Sequence, residues 1–235
     1  MLNAKNLDEV RRANASSGFS FDLLSSDLRG LGNIRVRKFY PRGSVLFVEG
    51  QQPRGIYVLC EGRVKVTIAS AEGKTLVLRI AQPGDLLGIN ATLKGQPYDA
   101  TVETLERCLI DFIGRSELLK RLEFDKRLYA SVAQALSNTL SSVVEHTRLL
   151  FLSQSSSEKV ARLLLKWSNE HGISTDQGIR INSGLTHEEI AQMICSSRET
   201  VTRVLNLLKK KHVVSLIDNA IYVHDRKALE AMVRR

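Results

Sequence analysis

The sequence predicts an α+β chain: a small antiparallel β barrel or jelly roll, a long helix, and a C-terminal winged helix-turn-helix. Three observations predict this. Short β-rich runs punctuated by turn signals fill the first half of the chain. An apolar repeat at three- and four-residue spacing then runs from about Asp125 to Leu152. Leu185 to Leu208 holds two amphipathic helical patterns either side of a tight turn, and two short β runs follow. These shifts divide the chain into an N-terminal extension (1–24), a β domain (25–115), a helical connector with the long helix (116–152) and a helix-turn-helix domain (153–235).

The extension carries no pattern that assigns it a role. After it, Ile34–Tyr40, Val45–Val48, Ile56–Cys60, Val64–Ile68, Leu76–Ile80 and Leu105–Ile113 read as strands. Pro41-Arg-Gly43, Gln52-Pro-Arg-Gly55, Ala71-Glu-Gly-Lys74 and Gln82-Pro-Gly-Asp85 separate them as turns. Strands at this spacing close into a small barrel or jelly roll. In the long helix, Tyr129, Val132, Leu136, Thr139, Val143, His146 and Leu150 form a seam that a second helix can cover. The polar run Ser153-Gln-Ser-Ser-Ser-Glu158 reads as a hinge, and Lys159 to His171 as the helix that opens the C-terminal domain.

Thr186-His-Glu-Glu189 has the form of a capping box, with Ile190, Met193 and Ile194 as the buried stripe of the helix it starts. Ser196 or Ser197 is placed to cap the next helix. On that helix, with Arg198 at zero, Val201, Val204, Leu205 and Leu208 fall at roughly 300°, 240°, 340° and 280°. Arg198, Thr202, Asn206, Glu199 and Arg203 fall at roughly 0°, 40°, 80°, 100° and 140°. The two arcs do not overlap, so one face packs and the other is free to meet something polar. Plainer readings exist: Glu199 can complete a second capping box, and Arg198 and Arg203 can be solvated charges. As a set placed directly after a helix and a turn, they fit a helix that enters the major groove of DNA. A guanidinium fork matches guanine O6 and N7, and a carboxylate accepts from the cytosine amino group. Arg198, Glu199, Thr202 and Arg203 are therefore the expected base readers. Thr186, Ser196, Ser197 and Lys209 are the expected phosphate contacts, helped by capped helix N-termini and by the Lys209–Lys211 run. Val213–Ile217, a turn at Asp218-Asn219 and Ala220–Val223 make a hairpin of wing proportions, and 225–235 a short helix or tail.

Residues 185–223 resemble the winged helix-turn-helix of the Crp–Fnr family of bacterial transcription regulators, and Ser197-Arg-Glu-Thr-Val201 followed by Arg203 is close to its catabolite-activator branch. Arg198, Glu199 and Arg203 match the three base-reading positions of that branch. Cys195 departs from it, standing where relatives usually place Gly in the turn. Tyr40–Gly50 and Gly55–Val66 resemble the cyclic-nucleotide-binding fold that serves this family as sensor, so the resemblance covers nearly everything after about residue 25. It implies a homodimer through the long helix (Val132, Leu136, Val143 and Leu150), double-stranded DNA bound at a TGTGA-like pseudo-palindrome, and RNA polymerase as a further partner.

The candidate effector pocket comprises Gly88, Ile89, Asn90, Tyr98 and Asp99, with Ser142 from the long helix. In relatives that bind cyclic AMP, a Glu after the second Gly holds the ribose and an Arg-Ser pair before Ala neutralises the phosphate. Here Ile89 and Tyr98-Asp99 stand in those places, and a carboxylate facing a phosphate repels it. The resemblance thus implies a sensor without ordinary cyclic AMP recognition, its effector left open. Three cysteines (Cys60, Cys108 and Cys195) are too few for a four-thiolate iron–sulfur cluster, and no His falls in the β-rich part to hold haem. Cys60, in phase with Ile56 and Val58, reads as a small buried residue, with a redox role for Cys60 or Cys108 left open. No metal or other cofactor is expected.

Composition agrees with this reading without carrying it. The net charge is +9, yet residues 153–235 hold 13 Lys+Arg against 9 Asp+Glu, too mild an excess to identify DNA alone. No apolar run reaches the roughly 20 residues of a membrane span, and no signal-peptide core opens the chain, so a cytoplasmic protein is expected. No Gly-rich phosphate loop, His-Glu-x-x-His or nucleophile elbow appears, which argues against an enzyme. The competing reading is a ligand-binding regulatory module that acts through protein partners.

Overall fold

The computed structural model describes residues 35–217 and 220–233. The extension 1–24, the start of the expected β domain and the expected wing turn at Asp218-Asn219 lie outside them. The chain divides into two compact units, with the boundary between His146 and Thr147.

In the first unit, β1 (Arg35–Tyr40), β2 (Val45–Phe47), β3 (Gly55–Glu61), β4 (Val64–Ala69), β5 (Thr75–Ala81), β6 (Leu86–Leu87), β7 (Thr101–Thr104) and β8 (Cys108–Gly114) form two antiparallel sheets. Their orders are β1-β8-β3-β6 and β2-β7-β4-β5, the double-sheet arrangement of a jelly roll. The core between them contains Phe47, Leu59, Val64, Leu87, Val102 and Ile110. Strands β3 and β8 are buried on both faces: Leu59 and Ile110 point into this core, while Ile56, Val58 and Ile113 are buried on the opposite side. That is why Gly55–Cys60 reads as a nearly unbroken apolar run instead of an alternation. Helix α1 (Ile89–Lys94) follows β6, and α2 (Arg115–Phe124) packs against β3 and β8 with Leu118 fully buried.

Two expectations need correction here. The run expected as one strand over Leu105–Ile113 is a strand only from Cys108; β7 ends at Thr104, and the backbone N–H of Leu105 donates to Arg63 O as the chain crosses between the sheets. Cys60 is half-buried beside a charged group, not in the apolar core. On that outer face Asp111 accepts from Arg37 at 2.7 and 2.8 Å and from Arg35 at 3.1 Å, and Arg37 Nη2 lies 3.9 Å from Cys60 Sγ. Burial, reinforced by the Asp111 charge, pushes the Cys60 thiol up to about 11. Burial also raises Cys108, whose thiol donates towards the carbonyls of Arg63 and Glu106. Both thiols are kept protonated, which suppresses the thiolate chemistry that a redox switch needs.

Helix α3 spans Lys126–Leu152, 27 residues and roughly 40 Å at 1.5 Å per residue. The break that follows is shorter than the expected hinge at 153–158. Ser155 caps α4 (Ser156–His171) by accepting from the Glu158 N–H, and Glu158 reaches back to the Gln154 N–H, so the polar run is mostly helix cap.

The second unit adds a hairpin that the polar pattern concealed, β9 (Ile173–Thr175) and β10 (Gly178–Ile181), then α5 (His187–Met193) and α6 (Arg198–Lys210). The wing strands β11 (Val214–Ile217) and β12 (Ala220–Val223) and a last helix, α7 (Arg226–Val233), complete it. The wing joins the earlier hairpin in one antiparallel sheet of order β11-β12-β10-β9. Helix α4 packs against α6 and α7, and Leu163, Leu164, Trp167, Val201, Leu205 and Leu229 on these helices are buried.

Candidate nucleic-acid interface

The geometry begins with the cap of α5. Thr186 Oγ1 accepts from the Glu189 N–H at 3.2 Å, and Glu189 Oε2 accepts from the Thr186 N–H at 2.9 Å, the reciprocal pair of a capping box. The chain then turns through Cys195 at φ 50°, in the left-handed region where side chains are unfavourable. The Ser196 N–H closes the turn on Ala191 O at 3.0 Å. Ser197 accepts from the Thr200 N–H and caps α6. Val201, Val204, Leu205 and Leu208 anchor α6 in the core, which fixes the direction of everything on its other face.

That face is an open concavity lined by Arg198, Glu199, Thr202, Arg203, Asn206 and Leu207, with Lys210 at its far end. Arg198, Glu199 and Arg203 are exposed. The Glu199 carboxyl is held below its ordinary range by its own backbone N–H and by the Ser197 hydroxyl, so it remains an anionic acceptor. Lys209, Lys210 and Lys211 stand exposed around the end of the helix.

Three of the expected contacts are held differently. Thr202 Oγ1 donates to Arg198 O at 2.9 Å and lies 2.9 Å from His187 Nδ1, so its hydroxyl clips α5 to α6 before any base is met. Ser196 Oγ lies 3.1 Å from Ser156 Oγ at the start of α4, where Lys159 Nζ also donates to Ile194 O. The Thr186 hydroxyl is occupied by its capping box. Conversely, Asn206 lies in the middle of the polar arc and was not singled out from the sequence, although the angles place it there.

The first unit treats its expected pocket residues otherwise. Tyr98 is 3 % exposed and stacks on Phe47 with ring centroids 3.9 Å apart; its hydroxyl donates to Gly55 O at 2.7 Å. Tyr57 lies beside Phe47 at 5.5 Å and Phe112 at 5.0 Å, and burial pushes its phenol up to about 12. Gly88, at φ 76°, is needed because a Cβ there would lie 2.6 Å from the Tyr98 ring. Ile89 is buried. Asp99 does not face inward as expected: it is exposed and accepts from Asn90 Nδ2 at 2.8 Å. An aromatic ring, not a repelling carboxylate, therefore fills the interior.

Along α3, Val143 is exposed, Leu136, Ser142 and Leu150 are half-buried, and Val132 is only 4 % exposed. Val132 is thus taken up by packing within its own chain and is unavailable to a seam with another. Tyr129, Leu140, Val144, Phe151 and Leu152 are the large apolar side chains left in solvent beside Val143. Among the described residues, no helix is long and apolar enough to cross a membrane, and no cluster of His, Cys, Asp or Glu has metal-binding geometry.

Two family models match the chain. Residues 37–125 match the cyclic nucleotide-binding domain and residues 158–232 the Crp-like helix-turn-helix domain, in the order and on the units just described. The chain belongs to the Crp–Fnr family. It is 29% identical over 215 residues to the anaerobic regulatory protein of Bacillus subtilis (strain 168), covering 90% of each chain. It is 26% identical over 199 residues to the CRP-like cAMP-activated global transcriptional regulator of Mycobacterium tuberculosis, covering 83% of this chain and 87% of that one. A solved CRP-family transcriptional regulator from Thermus thermophilus superposes with a TM-score of 0.71 at 26% identity, over 84% of this chain and 97% of the other. This Crp–Fnr protein is a DNA-binding transcription regulator, like its relatives, and not an enzyme.

Proposed function

We propose that this regulator acts as a homodimer that reads a TGTGA-like pseudo-palindromic operator through Arg198, Glu199 and Arg203. The carrying observation is the α6 face, where two guanidinium groups and an ionised carboxylate stand exposed in one concavity, on a helix anchored from behind by four buried side chains. Arginine suits guanine and the carboxylate suits the cytosine amino group, each good contact discriminating by about 1–3 kcal/mol. Ser197, at the start of α6, and the Lys209–Lys211 run supply phosphate contacts, whereas Thr186 and Ser196 have both hydroxyl and backbone N–H engaged within the protein. A two-fold dimer sets its two recognition helices about 34 Å apart along the duplex. The exposed apolar residues Leu140, Val143, Val144 and Phe151, with half-buried Leu136 and Leu150, supply the seam on α3.

Control comes through the β domain, by a signal other than cyclic AMP bound in the usual way. Tyr98 and Phe47 occupy the space, and neither Ile89 nor Tyr98 offers the ribose or phosphate contacts of cyclic AMP-binding relatives. An effector acts by differential affinity for two arrangements of the DNA-binding units. RNA polymerase is the further protein partner. The test is selection of random duplex DNA by the purified full-length protein, with and without a metabolite extract, followed by sequencing. A palindromic motif with G·C pairs one helical turn apart is expected. A pool without any motif in either preparation rejects the groove reading of α6.

A further inference from the structure

The recognition face continues past Arg203. Asn206 is exposed, lines the same concavity, and its amide makes no hydrogen bond among the described residues. Leu207, next to it in sequence, is a large apolar side chain left 46 % exposed and lines the same concavity. Their pairing has a specific chemical match. In the major groove an A·T pair presents adenine N7 and N6–H, which an Asn amide fits with two hydrogen bonds, and the thymine methyl, which an apolar side chain covers.

We propose that Asn206 and Leu207 together read an A·T pair next to the pair read by Arg203, on the side towards which the C-terminal end of α6 runs. This rests on the reading of α6 as the major-groove helix. Three residues at 1.5 Å put Asn206 roughly 4.5 Å beyond Arg203 along the helix axis, a little more than one base-pair step of about 3.4 Å. At roughly 80° around the helix, Asn206 is central to the arc bounded by Arg198 and Arg203. A short amide needs close approach, and the ridge it stands on permits it. Its neighbour one turn earlier, Thr202, is small, and its hydroxyl is drawn back onto Arg198 O and His187. Lys210, one turn later, is long enough to turn aside to a phosphate.

The experiment is the same selection from random duplex DNA, run with wild-type protein, Asn206→Ala and Asn206→Arg, each as the full chain. In the wild-type pool, A·T is enriched at the position next to the Arg203-read pair. Asn206→Ala lowers that enrichment about tenfold while the G·C pairs assigned to Arg198 and Arg203 stay selected, and Asn206→Arg moves the preference from adenine to guanine. On the selected wild-type operator, uracil in place of that thymine removes the methyl and weakens binding several-fold; Leu207→Ala is insensitive to the exchange. An Asn206→Ala protein that binds all sequences equally less well has lost a backbone contact, and the proposal fails. Unchanged enrichment in Asn206→Ala, or indifference of the wild-type protein to uracil, also overturns it. The G·C positions in the same pools keep this failure separate from failure of the groove reading, which erases every preference at once.

Discussion

On the recognition helix, the side chains expected to meet a ligand stand clear of the protein; in the β domain, those expected to meet one are packed against each other. Arg198, Glu199 and Arg203 project into an open concavity, whereas Tyr98, which the sequence resemblance sets at a phosphate-binding position, is stacked on Phe47 and tied to Gly55 O. The same chain thus leaves one set of candidate residues open to solvent and packs the other into its own core. A pocket is a volume, and one large substitution changes what it admits.

The largest effect expected from breaking that contrast lies in the β domain. Tyr98→Ala removes a buried ring and leaves a void beside Phe47, at a cost of about 3–5 kcal/mol by analogy with other buried aromatic truncations. Tyr98→Phe keeps the ring and loses only the hydrogen bond to Gly55 O, about 1 kcal/mol. Denaturant unfolding of the two variants checks this. If Tyr98→Ala cost no more than Tyr98→Phe, the ring would not be filling the interior.

Arg203→Ala is the corresponding change on the recognition face, and its effect falls on function and not on stability. Discrimination of operator from random duplex drops by about 1–3 kcal/mol of binding, while a residual, strongly salt-dependent affinity remains. Competition binding at two salt concentrations reads both. Retained discrimination would remove Arg203 from the set of base readers.

How much of this was visible in the sequence follows from the same contrast. The α6 face was legible because helical periodicity fixes side-chain direction, and the caps at Thr186 and Ser197 are local chemistry. The hydroxyl commitments of Thr202 and Ser196 were not, since they depend on His187 and Ser156, 15 and 40 residues away. Two replaced positions already argued against cyclic AMP, but only the structure shows that Tyr98 turns inward and Asp99 outward. The β9–β10 hairpin escaped because its first strand, Ile173-Ser-Thr175, is exposed and polar; Asp176-Gln-Gly178 was the available turn signal. Val132 looked like a seam residue because periodicity locates an apolar stripe without saying what covers it.

Acid separates the two regions further. Burial alone would raise the Asp111 carboxyl, but hydrogen bonds and charge from Arg37, joined by Arg35, outweigh it and hold the group below its ordinary range. A carboxyl depressed on folding adds stability above its unfolded value near about 4, and that stability is lost as pH falls through the folded value. Arg37 is half in water, so the contribution sits at the lower end of about 1.5–3 kcal/mol. Asp111→Asn is therefore less stable than wild type at neutral pH, and the gap narrows as pH falls below about 4. A gap independent of pH, measured by denaturant midpoints across that range, would mean that the pair acts by packing alone.

The smallest effect is expected at the turn between α5 and α6. Cys195 occupies the left-handed region at φ 50° with an exposed side chain, a conformation that costs an ordinary residue about 1–2 kcal/mol and glycine almost nothing. Glycine gives part of this back through its freer unfolded chain, by about 0.4–1 kcal/mol. Cys195→Gly should then stabilise the protein by roughly 0.5–1 kcal/mol, raising Tm by about 2 °C, with the selected operator motif unchanged. Because the side chain is exposed and the turn closes through the Ser196 N–H to Ala191 O, the substitution takes away no buried contact. A lower Tm would show that the thiol itself contributes to the turn; an altered motif would show that the turn sets how α6 presents its arginines.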